Sequence, residues 1–320
     1  MASRWPGPGA LVLAAAILGA CVAPDFQQVT EAVSDPVLGS NFFIAHDGVH
    51  LPLRTWMPGD TKPRAIVIAV HGFNDYSNFF NAPGNFLAEK NIATYAFDQR
   101  GFGAAPKPGI WPGVSALTRD LVSLTALVRA RHRDIPLYLL GESMGGGVVM
   151  VTLKQARQQG LEMGLSGVIL SAPAVWGRQT MPWYQTTALW IAAHTFPNTK
   201  LTGQGLKIMA SDNIEMLGAL SRDPLVIKRT RVGAVYGLTN LMDQALEAAW
   251  GLEEPLLVLY GEKDEVIPRK PTMEMLSRLP EKAKATRKVI FYDNGYHMLM
   301  RDLQAEVVWR DIIQWVEARN

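Results

Sequence analysis

The sequence predicts an α/β protein whose mostly parallel central sheet is flanked by helices and carries an inserted helical cap. Short apolar runs of strand length alternate with segments of helical period, which is the pattern of βαβ units. This alternation stops between residues 175 and 249, where large apolar side chains recur without a clear buried strand, and then resumes. We therefore predict a core of residues 40–174 and 250–320 and a cap of residues 175–249.

One sharp turn organises the predicted sheet. The apolar run Leu137–Leu140 leads through Gly141-Glu142-Ser143-Met144-Gly145 into a segment of helical character. A Gly-x-Ser-x-Gly turn between a strand and a helix holds the serine hydroxyl at the edge of the sheet, on a strained backbone that needs small neighbours. A glycine-rich turn that contains serine by chance is the alternative, and the flanking strand and helix argue against it. We predict that Ser143 is a nucleophile.

Two adjacent β-rich runs begin the core, and buried strands follow at regular intervals. Asn41–Ala45 and Val49–Trp56 are joined by His46-Asp47-Gly48, a strong hairpin signal. The further predicted strands are Ala65–Val70, Ile92–Phe97, Leu137–Leu140, Gly167–Leu170, Pro255–Tyr260 and Val289–Tyr292. The predicted helices are Asn78–Lys90, Ser115–Arg133, one from the serine turn to about Gln159, and Glu306–Arg319. Ligands of such open sheets bind beyond the carboxyl ends of the strands.

A serine hydroxyl becomes a nucleophile when a base takes its proton and an acid orients that base. His297 is the last histidine and follows a late strand, and Asp264 follows the strand before it. The order Ser143, Asp264, His297 is one of the known orders of such residues along a chain. The competing acids are Glu262, Glu265 and Asp293. Asp264 fits best because of its position in the turn.

Two backbone N–H groups are candidate oxyanion donors. The strand Ala65–Val70 ends in His71-Gly72-Phe73, and a strand that ends in His-Gly is where enzymes with such a serine turn place one donor. We therefore predict that the N–H groups of Phe73 and Met144 form an oxyanion hole. His71 is interpreted as a residue that organises this loop through backbone hydrogen bonds.

The predicted cap is rich in large apolar side chains. One interpretation is a lid whose apolar side chains form a slot for an acyl chain or touch a membrane, with Trp183 and Trp190 as candidate substrate-binding residues. The other interpretation is that these side chains only pack the cap on the core. The sequence pattern does not assign individual side chains to either role.

The composition excludes several classes of protein. The 320 residues carry a formal net charge of +2 with scattered basic residues, so nothing indicates binding to nucleic acid. A single cysteine excludes an intrachain disulfide framework, a cysteine-rich zinc site and a Cys-x-x-Cys redox motif. Nearly half of the residues are hydrophobic, which suffices for one large core with a smaller insertion.

The N-terminus resembles the signal of a bacterial lipoprotein. Arg4 precedes an apolar run from Ala10 to Leu18, which is too short to span a bilayer and has the length of a signal-peptide core. Leu18-Gly19-Ala20-Cys21 resembles a lipobox, which implies that residues 1–20 are removed and that Cys21 carries the lipid. The alternatives are an ordinary secretory signal and a plain apolar N-terminus.

A lipid on Cys21 would anchor the protein in the bacterial cell envelope. Residues 21–39, with mixed polar and proline content, then form a tether. Val22, rather than an aspartate, after the cysteine favours the outer membrane by analogy with other lipoproteins. An ordinary secretory signal would instead leave the protein in the periplasm.

Taken in order, the motifs resemble those of the α/β-hydrolase superfamily and, within it, the monoacylglycerol lipase and lysophospholipase group. The matching segments, from about residue 70 to 302, are HGF, FDQRGFG, GESMGGG, the cap segment SRDPLVIKRTRVGAVYGLTNLMDQA, YGEKDEVIP and DNGYHMLMRD. Two positions depart from the family pattern. Glu142 stands where relatives usually carry histidine, and FNDYSNF follows His71-Gly72 in place of a Glu-His-Ser form.

The resemblance implies an α/β-hydrolase fold and a serine hydrolase that cleaves carboxylic esters of lipids through an acyl-enzyme on Ser143. Monoacylglycerol or lysophospholipid is the implied substrate, and neither a metal nor an organic cofactor is implied. A general carboxylesterase or a peptidase of the same fold is the nearest alternative. From a different class, the alternative is a non-catalytic lipid-binding lipoprotein, against which the complete set of site residues argues.

Overall fold

The computed structural model describes residues 24, 26–28, 31–59, 61–203, 205 and 208–319. Its strands are β1 (Val37–Leu38), β2 (Phe42–Ile44), β3 (His50–Trp56), β4 (Ala65–Val70), β5 (Ile92–Phe97), β6 (Leu137–Glu142), β7 (Gly167–Ser171), β8 (Lys200–Thr202), β9 (Arg229–Arg231), β10 (Leu256–Gly261) and β11 (Arg287–Tyr292). Its helices are α1 (Asn81–Glu89), α2 (Val114–Arg131), α3 (Met144–Gln158), α4 (Trp183–Thr195), α5 (Ile214–Arg222), α6 (Val232–Ala248), α7 (Arg269–Arg278) and α8 (Ala305–Glu317).

A nine-stranded sheet forms the centre of the described structure, in the order β1-β2-β3-β5-β4-β6-β7-β10-β11. Within this sheet the neighbouring strands β5, β4, β6, β7, β10 and β11 pair in parallel, whereas β1, β2 and β3 form an antiparallel edge. The predicted hairpin is present, because β2 and β3 pair across the turn at Asp47 and Gly48. This arrangement confirms the prediction of a mostly parallel sheet.

Helices cover both faces of the sheet and bury its central strands. Every residue of β4 is fully buried, as its unbroken apolar sequence AIVIAV predicts for a strand covered on both sides. One apolar cluster joins the sheet to α2, α3 and α6, and a second cluster joins its other face to α1 and α8. Among the described residues, no helix combines the length and the apolar character needed to cross a bilayer.

The structure adds one helix that the sequence analysis did not predict. Helix α7 has the polar sequence RKPTMEMLSR, and Pro271 stands in its first turn. Proline is tolerated there because the first N–H groups of a helix have no partner inside the helix. Met275 is fully buried in the main core cluster and Leu276 packs against that cluster, so two adjacent apolar side chains attach this largely polar helix to the core.

The tether prediction for residues 21–39 is wrong in its C-terminal part. Val37 and Leu38 form β1 and pair with Ile44 and Phe43 of β2. Further upstream, the backbone N–H of Gln27 donates to the carbonyl of Trp111 at 2.8 Å. A sheet edge presents unpaired backbone groups, and the segment before β2 is close enough in sequence to satisfy them.

The predicted cap divides into two parts in the structure. The first part, residues 175 to 231, contains α4, α5 and the antiparallel pair β8 and β9, and α4 supplies wall residues beyond the carboxyl ends of the strands. Helix α6 is the second part: it also supplies wall residues, and it packs along α3 with Leu241, Ala245 and Leu246 in the main core cluster. The boundary at residue 249 therefore assigns to the cap a helix whose apolar side packs with the core.

Candidate active site

Ser143 lies on the sharp turn between β6 and α3. Its backbone has φ 49° and ψ −115°, in a region that side-chain-bearing residues rarely adopt. Its N–H donates to the carbonyl of Ser171 at 2.9 Å, and its carbonyl accepts from the N–H of Ala174 at 2.8 Å. These bonds to the end of β7 hold the strained conformation in place.

The turn is possible because its neighbours are glycines. A Cβ on Gly141 would collide with the backbone of Gly146, and a Cβ on Gly145 would collide with the carbonyl of Val70 on β4. The close approach of α3 to the sheet thus requires glycine at both positions, as the sequence analysis expected.

His297 bridges Ser143 and Asp264. Its Nδ1 is 2.8 Å from Asp264 Oδ2, and its Nε2 is 2.9 Å from Ser143 Oγ. Because a carboxylate only accepts, Nδ1 carries the proton and Nε2 accepts from the serine hydroxyl. This is the arrangement in which the imidazole can take the serine proton.

The Asp264 carboxylate is held by the loop that follows β10. Its Oδ1 accepts from the N–H groups of Val266 and Ile267 at 2.8 and 2.9 Å, which leaves Oδ2 directed at His297. The competing acids have other surroundings: Glu262 pairs with Arg269, Glu265 accepts from the N–H of Met209, and Asp293 is exposed. The structure therefore brings Asp264, and none of these three, into contact with the histidine.

Two opposing effects act on the His297 imidazole. Burial lowers its pKa, whereas the charge and hydrogen bond of Asp264 raise it, and Glu142 and Asp302 add smaller effects in the same direction. The net pKa is raised from the ordinary value. The surroundings thus stabilise the imidazolium that forms when Ser143 gives up its proton.

The two candidate oxyanion donors lie beside the serine. Phe73 lines the same pocket as Ser143, and Met144 is the first residue of α3. No described residue accepts a hydrogen bond from either backbone N–H, so both donors are available to a substrate oxygen. Their role as an oxyanion hole stays a prediction.

His71 organises the loop that carries Phe73. Its Nδ1 is 2.8 Å from the carbonyl of Gly72, and its Nε2 accepts from the backbone N–H of Gln99 at 3.0 Å. Burial lowers the pKa of His71, in keeping with a neutral ring that donates at one nitrogen and accepts at the other. The interpretation of this histidine as a loop-organising residue is confirmed.

A cavity of about 510 Å³ opens at Ser143 and His297. Its polar residues near the serine are Asp75 and Glu142. Beyond them the walls are mostly apolar, with Gln185 and Thr239 as the polar exceptions. The apolar residues of these walls are Phe73, Ala174, Trp176, Met181, Leu189, Ala210, Val235, Leu238, Met242, Val266, Ile267 and Met298.

The prediction of Trp183 and Trp190 as substrate-binding residues is not supported by their position. Their side chains are 77% and 50% exposed, and neither lines the cavity. Helix α4 instead contributes Gln185 and Leu189, which stand four residues apart on one face. The helix has apolar residues around most of its circumference, so the hydrophobic pattern of the sequence does not indicate which side faces the cavity.

Two contacts around the site were missed by sequence reasoning. Ser211 donates from its hydroxyl to Asp302 at 2.6 Å, and Asp302 accepts from the N–H of Tyr296, next to His297. Asp75 pairs with Arg301 at 3.0 Å. The partners are 91 and 226 residues apart, and no local pattern signals such pairs. Cys21, the predicted lipid attachment site, lies outside the described residues.

Comparison with known proteins reveals similarity along most of the chain. The monoacylglycerol lipase of Mycolicibacterium smegmatis is 25% identical over 276 residues, which cover 86% of this chain and 95% of that protein. The putative monoglyceride lipase of Schizosaccharomyces pombe is 29% identical over 263 residues, covering 79% of this chain and 67% of that protein.

A solved structure has the same fold. A soluble variant of monoglyceride lipase from Saccharomyces cerevisiae, in complex with a substrate analog, superposes with a TM-score of 0.70 at 22% identity. The superposition covers 93% of this chain and 99% of that one. A family model described as Serine aminopeptidase, S33 (Hydrolase_4) matches residues 61–304, which is well over half of the sequence. The chain therefore belongs to this serine aminopeptidase S33 family and has the α/β-hydrolase fold that its motifs predicted.

Proposed function

We propose that the protein hydrolyses carboxylic esters of lipids, with a long-chain monoacylglycerol or lysophospholipid as the substrate. One observation carries the proposal: the hydrogen-bonded row of Asp264, His297 and Ser143 opens into a cavity of about 510 Å³ with mostly apolar walls. The reactive oxygen thus stands where polar and apolar surroundings meet, which suits an ester that carries one acyl chain.

The proposed reaction follows from this geometry. Ser143 Oγ attacks the ester carbonyl while His297 Nε2 takes its proton, and Asp264 stabilises the imidazolium. The N–H groups of Phe73 and Met144 bind the developing oxyanion, where each donor typically contributes a rate factor of about a hundred to a thousand. His297 then protonates the leaving alcohol, and a water molecule repeats the sequence on the acyl-enzyme.

The comparisons support a lipid ester as the substrate. The relatives from Mycolicibacterium smegmatis and Schizosaccharomyces pombe are described as monoacylglycerol and monoglyceride lipases, and the match to the first covers nearly all of its length. The description of the family names an aminopeptidase, which makes peptide hydrolysis the second candidate. The apolar cavity walls favour the lipid, because a peptide's amide groups need hydrogen-bond partners when they are buried.

Substitution of the nucleophile tests the proposal. Ser143→Ala removes the attacking oxygen, so hydrolysis of oleoyl glycerol is expected to fall by about 10³-fold or more. The measurement is release of oleate by the purified chain, alongside lysophospholipids, short p-nitrophenyl esters and aminoacyl p-nitroanilides. A fluorophosphonate probe, which reacts with an activated serine, should label the wild type and not the variant.

The panel also separates the alternatives. Activity on short esters alone would contradict the lipid proposal and identify a general carboxylesterase. Activity on aminoacyl anilides without ester hydrolysis would identify a peptidase. An unlabelled wild type that cleaves nothing would favour the non-catalytic lipid-binding protein. Thermal unfolding of Ser143→Ala close to that of the wild type is the control for folding.

We also propose that the protein is a lipoprotein anchored through Cys21 in the cell envelope, with the outer membrane favoured. The support is the apolar run of residues 10–18 followed by Leu18-Gly19-Ala20-Cys21. Exposed aromatic side chains of α4, among them Trp183 and Trp190, are suited to contact with the same membrane. Metabolic labelling of Cys21 with a fatty acid tests the anchor.

A further inference from the structure

Glu142 is a buried carboxyl without a hydrogen-bond partner at the wall of the active-site cavity. Its side chain is 4% exposed, and it lines the cavity together with Ser143 and His297. No described residue donates a hydrogen bond to it, and its closest basic group is His297 Nε2, 3.9 Å from Oε1. Buried carboxyl groups normally have such a donor, so this one is available to a ligand.

The position of this carboxyl is set by the fold. Glu142 is the last residue of β6, and its Oε2 occupies the space that a Cβ at position 72 would fill. The absence of a side chain on Gly72 therefore gives the carboxyl its place. It lies between the loop after β4 and the imidazole of His297, on the wall next to the reacting serine.

The other carboxyl in this part of the cavity is already occupied. Asp75 accepts from the backbone N–H of Tyr76 at one oxygen and from Arg301 at the other, at 2.8 and 3.0 Å. Among the described residues that line the cavity there is no lysine and no arginine. Among the described residues, the surroundings of the serine thus offer a carboxyl without a hydrogen-bond donor and neither a lysine nor an arginine for a phosphate.

The leaving alcohol must pass close to Glu142. Its ester oxygen receives a proton from His297 Nε2 and therefore lies about 2.6–3.2 Å from that nitrogen. Glu142 Oε1 is 3.9 Å from the same atom, so a leaving alcohol on the Glu142 side of His297 can bring a hydroxyl of its neighbouring carbon within hydrogen-bond range of the carboxyl.

We propose that Glu142 is a specificity-determining residue that accepts a hydrogen bond from a hydroxyl of the leaving alcohol and disfavours a phosphate at the same place. The site then takes esters of uncharged polyols, such as a monoacylglycerol, in preference to lysophospholipids. This inference rests on the proposed ester hydrolysis and narrows its substrate class. An ionised carboxylate repels a phosphate strongly because the buried surroundings screen charge poorly.

Three esters of the same fatty acid test the proposal. Oleoyl glycerol has the hydroxyls, methyl oleate lacks them, and oleoyl lysophosphatidylglycerol adds a phosphate.

Burial raises the pKa of Glu142 to about 7, so the assay is run at pH 8, where the carboxylate is ionised. In Glu142→Gln, the ratio of kcat/KM for oleoyl glycerol to that for methyl oleate is expected to fall about tenfold. The relative kcat/KM for the lysophospholipid is expected to rise.

A matched control uses another glutamate of the same edge of the sheet. Glu262 follows β10, is exposed and pairs with Arg269, so Glu262→Gln should leave both ratios within twofold of the wild type. Glu142→Asp keeps the negative charge but shortens the side chain by one methylene, which moves the carboxylate away from the leaving alcohol. It should lose the preference for glycerol while still rejecting the phosphate, a result that a purely structural role would not produce.

The possible outcomes separate the two proposals. If the wild type cleaves the esters and Glu142→Gln lowers all three rates equally, Glu142 acts through His297 or the fold, and the inference is overturned while ester hydrolysis stands. If the wild type cleaves none of them, both proposals fail.

If the variants do not fold, inhibition of the wild type by the product alcohol tests the inference instead. Glycerol is expected to inhibit methyl oleate hydrolysis more strongly than 1-propanol or glycerol 3-phosphate does. Equal inhibition by the three compounds overturns the inference.

Discussion

Burial strongly affects the ionisation of single residues at the site. His297 and Glu142 are both enclosed, and burial acts in opposite directions on the two groups: it lowers the pKa of the imidazole and raises that of the carboxyl. Asp264 outweighs the effect on His297 through its charge and hydrogen bond, whereas Glu142 has no comparable partner. The histidine is therefore stabilised as a cation, whereas the pKa of about 7 leaves the neighbouring glutamate protonated below neutral pH and ionised above it.

The raised pKa of Glu142 has a consequence for stability. The ordinary value is 4.5 and the folded value is about 7, so the folded state binds the proton more tightly than the unfolded chain. The resulting stabilisation is complete below pH 4.5 and is lost as the pH rises through 7. The loss is about 3 kcal/mol at most, since each pKa unit corresponds to about 1.4 kcal/mol.

Glu142→Gln is therefore expected to stabilise the protein relative to the wild type more at pH 8 than at pH 5. The difference arises because glutamine carries no charge that must be buried. Urea unfolding of both proteins at the two pH values measures it, and Glu262→Gln supplies the control with an exposed carboxyl. A variant whose stability differs from that of the wild type by the same amount at both pH values would contradict the assignment.

At the scale of elements, helix α4 lines the cavity with one face and exposes large apolar side chains on another. Its Gln185 and Leu189 line the cavity, while Trp183, Trp190 and Ile191 are exposed. A spacing of four residues keeps the first two on one face, and the others project from the remaining circumference. The side that faces the cavity is thus the less aromatic one, and the two tryptophans of the helix are exposed.

A substitution on each side of α4 tests whether the cavity holds the acyl chain. Leu189→Trp adds bulk inside the apolar walls, so kcat/KM for oleoyl glycerol is expected to fall about tenfold relative to that for a short-chain glycerol monoester. Ile191→Trp places the same side chain on the exposed side and should leave the ratio within twofold. Equal ratios in the two variants, measured with dispersed substrates, would show that the acyl chain binds elsewhere.

The described structure combines a core that carries the reactive groups with an inserted cap, and both supply walls of the cavity. Ser211 from the insertion bonds to Asp302 behind the His297 loop, so the two parts share a buried hydrogen bond at the site. Residues before β2 also contact the body, since Val37 and Leu38 extend the sheet. A lipid on Cys21 would then be joined to the sheet by a link shorter than the predicted tether of residues 21–39.

Lipid attachment at Cys21 can be measured on the intact chain. Because Cys21 is the single cysteine, a bacterium fed a labelled fatty acid should label the wild type, and Cys21→Ser should abolish the label and release the protein from the membrane fraction. The released variant is expected to keep its activity on dispersed esters, because the site lies in the described core. An unlabelled wild type in the soluble fraction would indicate an ordinary secretory signal.

The sequence by itself determined where the main buried strands lie along the chain, the sharp turn at Ser143, and the loops from which Asp264 and His297 come. These features depend on local causes: apolar runs of strand length, glycines where a Cβ would collide, and turns at strand ends. The parallel sheet then brings the carboxyl ends of its strands to one edge. The candidate residues could therefore be named without their distances.

Only the tertiary structure decided which side chains meet there. It placed Asp264 rather than its acidic neighbours against His297, turned Trp183 away from the cavity, and left the Glu142 carboxyl without a hydrogen-bond donor among the described residues. Each of these results depends on the direction of a side chain relative to elements far away in the chain. Local periodicity carries no information about such directions, because they are set by how the packed helices and strands meet.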